Sequence, residues 1–150
     1  MTVSQVRKRD GTIVDFQVSK IATAVEKAML AVNLDDEELP KKLAEKVAEE
    51  VQKKFEDGYI PSVEEVQDVV EKVLIAESHA EMAKAYILYR QKRAEIRKVK
   101  QNILGKFDDS NLNINGLLIA KSRYLLKEGN DIVEIPKQMF IRVAKDIADV

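Results

Sequence analysis

The 150 residues carry a formal net charge of −1, are 45% hydrophobic and 34% charged, and include no cysteine and one histidine. That is enough for one ordinary domain, or a small domain plus an appendage, under a well-solvated surface. It excludes disulfides, thiolate nucleophiles, zinc ribbons and iron–sulfur ligation, makes any metal site depend on carboxylates, and exerts no global electrostatic pull on nucleic acid or membrane. The opening stretch MTVSQVRKRDG has no apolar core of a signal peptide. No apolar run approaches the roughly 20 residues of a membrane helix. A soluble, cytoplasmic protein is expected.

The chain starts as a β-hairpin. Val3 to Arg9 is strand-like, Asp10-Gly11 supplies the positive φ angles of a type I′ turn, and Thr12 to Phe16 alternates again. Alternation puts Val14, Phe16 and Val18 on the buried face. Ser19 can cap a first helix with the stripe Ile21, Val25, Ala28, Met29 and Val32. Asn33 to Asp36 breaks the pattern. A second helix carries Leu43, Val47, Val51 and Phe55 and ends at Asp57-Gly58. Tyr59-Ile60-Pro61 is short and extended and is expected to add a third strand. Ser62 to Glu65 is a capping box opening a third helix through Val66, Val69, Val70, Val73 and Leu74. A second box, Ser78 to Glu81, opens a fourth helix with the stripe Met82, Ala85, Tyr86 and Tyr89, running to about Val99. The expected fold is mainly α: four helices capped by a small three-stranded sheet over residues 1–98.

Lys100 to Asn111 reads as a polar break containing Gly105, and residues 99–110 as a linker. Residues 111–150 follow as a helix around Leu112 to Leu126, a turn at Gly129-Asn130, a strand-like Ile132-Val133 and a last helix from Pro136. That helix shows Met139, Phe140, Val143, Ala144 and Ile147. Two short helices make a poor independent core, so this tail is expected to be the start of something larger.

The densest chemical signal is Val6-Arg7-Lys8-Arg9-Asp10-Gly11 together with Lys20. Cations near a hairpin tip, beside a helix opening at Ser19-Lys20, can surround phosphates, because the helix N-terminus adds free N–H groups. The plainer alternative is a solvated charged strand. A basic run follows Lys84, comprising Arg90, Lys92, Arg93, Arg97, Lys98, Lys100 and Lys106. It fits a nucleic-acid or phosphate contact, or simply an exposed helix face. His79 falls at the start of a helix and reads as structural. There is no Ser/His/Asp set, and the five glycines are too scattered for a phosphate loop.

In order along the chain these motifs resemble the ATP-cone family. Val6-Arg7-Lys8-Arg9-Asp10-Gly11 resembles its opening, and Phe16 and Lys20-Ile21 match its next positions. Val63-Glu64-Glu65-Val66-Gln67-Asp68-Val69-Val70 resembles its third-helix signature, and Ala83-Lys84-Ala85-Tyr86-Ile87-Leu88-Tyr89-Arg90 its closing helix. The likeness covers about residues 3 to 98. It implies an ATP/dATP site under the cap. Val6, Arg7, Lys8 and Arg9 would line it from the hairpin, Lys20 and Ile21 from the first helix, and Val63 and Gln67 from the third. Arg90 would serve from the fourth, where Lys92 is the alternative cation. Val14 stands where some members have an acid near the ribose, and Gln67 where some have His. Magnesium would accompany the nucleotide.

The tail narrows the resemblance. Ser122-Arg123-Tyr124-Leu125-Leu126, Glu134-Ile135-Pro136 and Met139-Phe140-Ile141-Arg142-Val143-Ala144 resemble the segment after the cone in ribonucleotide reductase large subunits, most of all the cobalamin-dependent class II kind, with class I next. The implied function is allosteric control of that enzyme, ATP favouring activity and dATP an inactive state. The implied partners are ATP or dATP, the remainder of the catalytic subunit and, under nucleotide control, further copies of the chain. No membrane or nucleic-acid partner is expected. Adenosylcobalamin would belong to the parent enzyme and not to these residues. Such reductases use cysteines that this chain lacks, so by itself it is expected to reduce nothing. Two other readings remain: a nucleotide-sensing transcriptional regulator built on the same cone, and a helical nucleic-acid binder using the basic run.

Overall fold

In the computed structural model, which describes residues 3–108 and 110–148, β1 (Gln5–Arg7) pairs antiparallel with β2 (Ile13–Asp15), Val6 lying opposite Val14. Met1, Thr2, Asp109, Asp149 and Val150, all inside the expected segments, lie outside the described residues. The turn is not type I′. The Gly11 N–H reaches the Lys8 carbonyl at 3.0 Å, the Lys8 N–H reaches the Thr12 carbonyl at 2.8 Å, and Gly11, at φ 84°, has the positive φ while Asp10 does not. This is the three-residue loop with a left-handed glycine at its end. The Asp10 carboxylate secures it, accepting from the Thr12 N–H at 2.9 Å and from the Thr12 hydroxyl at 2.6 Å. Arg9 therefore stands at the tip.

The expected third strand reduces to one parallel bridge, Arg7 to Ser62, with the Arg7 N–H donating to the Pro61 carbonyl at 2.8 Å. Pro61 has no N–H to return, and Ser62 turns at once into a helix, so no ladder can extend. The cap is a two-stranded hairpin.

Four helices follow: α1 (Val18–Ala31), α2 (Leu39–Lys54), α3 (Val63–Ala76) and α4 (Ala80–Leu104). Ser19 does not cap α1. Gln17 occupies that position, and the Ser19 carbonyl already accepts the Thr23 hydroxyl. The apolar stripes pack on one another as the helical period requires: Ile21, Val25, Ala28 and Met29 from α1, Leu43, Val47 and Val51 from α2, Val66, Val69, Val70, Val73 and Leu74 from α3. Each of the valine, leucine, isoleucine and methionine side chains among them contributes roughly 1.5–3 kcal/mol on burial. The Ser62–Glu65 capping box forms in full. The second box does not. Ser78 has φ 62° and its N–H returns to the Ile75 carbonyl, while the His79 N–H returns to Leu74. Those two bonds close the C-terminus of α3 and leave Ser78 in the wrong conformation to cap α4. In the part of α4 up to Arg90 the buried positions are Met82, Ala83 and Tyr86, and Tyr89 is exposed. At that level the position facing α3 is Arg90, which meets acids and not apolar groups.

The chain divides into two compact units, Met1–Arg90 and Gln91–Val150. Helix α4 continues past Val99 into the expected break, because Leu104 joins a second apolar cluster with Leu117, Ala120, Leu125 and Met139. Lys100 is buried there, donating to the Ser110 carbonyl at 2.6 Å and lying 3.5 Å from Asp108. α5 (Ile114–Arg123) is capped by Asn113, whose side chain accepts the Gly116 N–H at 2.7 Å. β3 (Lys127–Glu128) pairs with β4 (Asp131–Ile132) across Gly129-Asn130, and α6 (Pro136–Ala148) closes the unit. Of the expected α6 stripe only Met139 is buried, while Phe140, Val143 and Ile147 are exposed.

Candidate functional site

The hairpin is held over the N-terminal half of α3 from two sides. Gln52 of α2 grips its entry, its carbonyl oxygen accepting the Val3 N–H and its amide donating to the Val3 carbonyl at 3.2 Å. Pro61, fully buried, accepts the Arg7 N–H. The segment before α3 is braced in turn. The Glu65 carboxylate accepts the Ser62 N–H at 2.8 Å, the Ser62 hydroxyl at 2.9 Å and the Tyr59 hydroxyl at 3.0 Å, and the Tyr59 ring stacks on Phe55 at 5.2 Å. The Ser62 N–H is the main reason the Glu65 carboxyl sits below its ordinary value.

From that position Arg9 reaches down onto α3. Its Nε lies 2.5 Å from Glu64 Oε1, and its Nη2 donates to Gln67 Oε1 at 3.2 Å. Glu64 and Gln67, three apart on a helix, share a face. Arg90 of α4 meets the same end of α3. Its Nη1 lies 2.7 Å from Asp68 and 2.6 Å from Glu71, and its Nη2 donates to the Glu64 carbonyl at 3.2 Å. Tyr86 lies beneath. Burial pushes its hydroxyl up to about 12, against the opposing pull of Arg90 and Arg9. The result is an ionic layer alternating in sign, on an apolar floor and under a cationic hairpin.

The sequence-predicted residues fall into three groups. Arg9 and Gln67 are brought into contact, and Arg90 joins them through Glu64. Arg7, Lys8 and Lys20 are exposed, and none has an ion-pair partner among the described residues. Lys20 stands on the first turn of α1, with neither a hydrogen bond nor an ion pair to the Arg9 group among the described residues. Val6, Val63 and Ile21 are apolar: Val6 and Val63 are half-buried, and Ile21 belongs to the core. Val14 is half-buried opposite Val6.

Sequence reasoning missed Glu64 and Gln52, and placed Tyr86 on the buried stripe of the fourth helix, where it lies. The Glu64–Gln67 spacing marks a shared helix face, but nothing local says that the hairpin tip lands on it. The basic run of α4 is not one uniform stripe, since Arg90 and Lys100 are both engaged with acids. Elsewhere, a surface groove of about 500 Å³ lies between α2 and α3, with Val69 and Val73 on its floor and lysines and glutamates in equal number around it. None of the predicted site residues lines it. No helix among the described residues is long and apolar enough to cross a membrane.

The arrangement suits anion binding. Exposed cations stand on the hairpin and on the first turn of α1, a helix N-terminus with free N–H groups, and charge-assisted hydrogen bonds are the strong ones. The ATP cone domain matches residues 4–95. Over 97% of its length the chain is 44% identical to a vitamin B12-dependent ribonucleoside-diphosphate reductase of Thermoplasma acidophilum, covering 19% of that protein. It is 38% identical to a reductase of the same description from Mycobacterium tuberculosis, over 83% of the chain and 17% of the relative. An anaerobic ribonucleoside-triphosphate reductase of Haemophilus influenzae is 33% identical over 89% of the chain and 18% of its own length. The chain thus spans about a fifth of the length of these relatives.

Proposed function

This chain belongs to the ATP-cone domain family, and from that premise we propose that it is the allosteric activity-control module of a ribonucleotide reductase, with ATP or dATP as effector. The observation that carries the reading is the hairpin held over the N-terminal half of α3, with Arg7 and Lys8 on its first arm, Arg9 at its tip and Lys20 on α1. Lys8, Arg9 and Lys20 hold the triphosphate, Val6, Ile21 and Val63 supply apolar walls, and Gln67 meets the nucleoside. ATP and dATP share their phosphates, so discrimination rests on the 2′-hydroxyl and on how each ligand packs the cap. Among the described residues no group of three or more His, Asp or Glu could hold a metal ion, so magnesium enters with the phosphates.

The division into a cone at 1–98, a linker at 99–110 and the start of a catalytic domain at 111–150 is part of the proposal, as are the remaining catalytic subunit as partner and nucleotide-dependent self-association. Ribonucleotide reduction, and any adenosylcobalamin it uses, belong to the parent enzyme. With no cysteine, this chain forms no deoxyribonucleotide by itself. The comparisons lend no support to a transcriptional regulator or a nucleic-acid binder.

Calorimetric titration with ATP and dATP tests the reading. Each charge-assisted contact is worth about 1.5–3 kcal/mol, so Lys8→Ala and Lys20→Ala should each weaken binding roughly 10- to 100-fold. Exposed cations contribute little to folding, so their melting curves should stay in place. Gln67→Ala should change the ATP/dATP ratio more than the overall affinity. A folded wild type that binds neither nucleotide at millimolar concentration overturns the proposal.

A further inference from the structure

Resting on that reading, we propose that Glu64 is a built-in competitor of the effector's phosphates for Arg9. The geometry is specific. A guanidinium grips an anion bidentately along one edge, and here the edge formed by Nε and Nη2 is already taken, Nε by Glu64 at 2.5 Å and Nη2 by Gln67 at 3.2 Å. A phosphate seeking the same edge must displace both. Glu64 is the fixed member of the pair. It lies in the first turn of α3, where the helix dipole favours an acid, and Arg90 anchors its backbone carbonyl at 3.2 Å. Arg9 is the movable member, at the tip of a hairpin loop. Arg7 and Lys8 beside it have no ion-pair partner among the described residues, so the competition falls on Arg9 alone. The exchange also frees the Gln67 carbonyl, which ties phosphate capture at one end of the ligand to the readiness of the residue at the other.

The test is Glu64→Gln in the full chain, titrated calorimetrically with ATP and with inorganic tripolyphosphate. Removing the competitor should tighten both by about 3- to 5-fold, the upper end of the scale for a partly exposed ion pair. Glu64→Ala should act in the same direction. In an Arg9→Gln background, Glu64→Gln should no longer tighten either ligand by more than about 2-fold. Tightening that persists without Arg9 would be general charge relief and would overturn the proposal. So would a wild type that binds while Glu64→Gln binds equally or more weakly. Binding by neither protein would sink the functional reading itself. A readout on the unmodified chain is independent of mutant folding: tripolyphosphate should shift the side-chain resonances of Arg9 Nε–H and of the Glu64 carboxyl together. A saturating ligand that leaves Glu64 unmoved refutes the exchange.

Discussion

Arg90→Gln separates a brace from a ligand contact. Arg90 is 22% exposed and holds Glu71, 23% exposed, at 2.6 Å, Asp68, 51% exposed, at 2.7 Å, and the Glu64 carbonyl at 3.2 Å. The Glu71 pair is sheltered from water and is worth about 1.5 kcal/mol, near the low end for charged hydrogen bonds. The Asp68 pair is half in solvent and adds at most about 0.5 kcal/mol. The bond to the Glu64 carbonyl adds about 0.5–1 kcal/mol. Truncating the guanidinium should cost about 2–3 kcal/mol, which for a domain of this size lowers the melting temperature by roughly 8–15 °C. Thermal denaturation followed by far-ultraviolet circular dichroism measures it. Much of the loss comes from leaving the half-buried Glu71 without its cation, so adding Glu71→Gln should restore part of it. A melting temperature within about 3 °C of wild type, together with a tenfold loss of ATP affinity, would refute the reasoning and make Arg90 a ligand contact.

The remaining expectations concern the scaffold that aims the site. Leu74, fully buried among the helices, should cost roughly 2–5 kcal/mol as Leu74→Ala, read from the urea midpoint. Ser62→Ala removes the acceptor for the Glu65 N–H and should cost about 1 kcal/mol by the same assay. The Glu65 carboxyl is held below its ordinary value of 4.5, first by the Ser62 N–H. Its contribution to stability is therefore complete above that value and is lost as the pH falls through the lowered one. Glu65→Gln should flatten the decline in urea midpoint between about pH 5 and pH 3, and an unchanged slope would show that other carboxyls cause it. On α6, Ile147 is 72% exposed, so Ile147→Ser should change the urea midpoint of this chain by no more than about 0.5 kcal/mol equivalent.

Local rules make much of this chain legible in its amino-acid order. Apolar residues at helical spacing identify α1, α2 and α3 with nearly all their buried positions, because an amphipathic stripe has one way to leave water. The Ser62–Glu65 box marks the start of α3 correctly, since both its hydrogen bonds join residues three apart. Ser78–Glu81 has the same spelling but does not form. The end of α3 claims Ser78 for its own closing bonds, and one residue cannot adopt both conformations. Asp10-Gly11 marks a hairpin but not its turn type. The choice falls to a longer loop, in which only Gly11 needs a positive φ, placing Arg9 at its tip.

The amino-acid order by itself determined the helical period, the capping box, the hairpin and the absence of cysteine chemistry, since each rests on composition or on neighbours within a few residues. The motifs, taken in order, also carried the family resemblance and a candidate set of cations. Only the tertiary structure decided which cation is held and which is exposed. Arg9 and Gln67 lie 58 residues apart, Arg90 and Glu71 lie 19 apart, and no periodicity relates such pairs. They meet because burying the stripes of α1 to α4 fixes where α3 ends and where the hairpin lands. Packing also set how far α4 runs, because Lys100 and Leu104 find buried partners beyond the apparent break. Glu64 reads in the sequence as one more acid at a helix start. Its role as the anion under Arg9 exists only once two distant segments are pressed together.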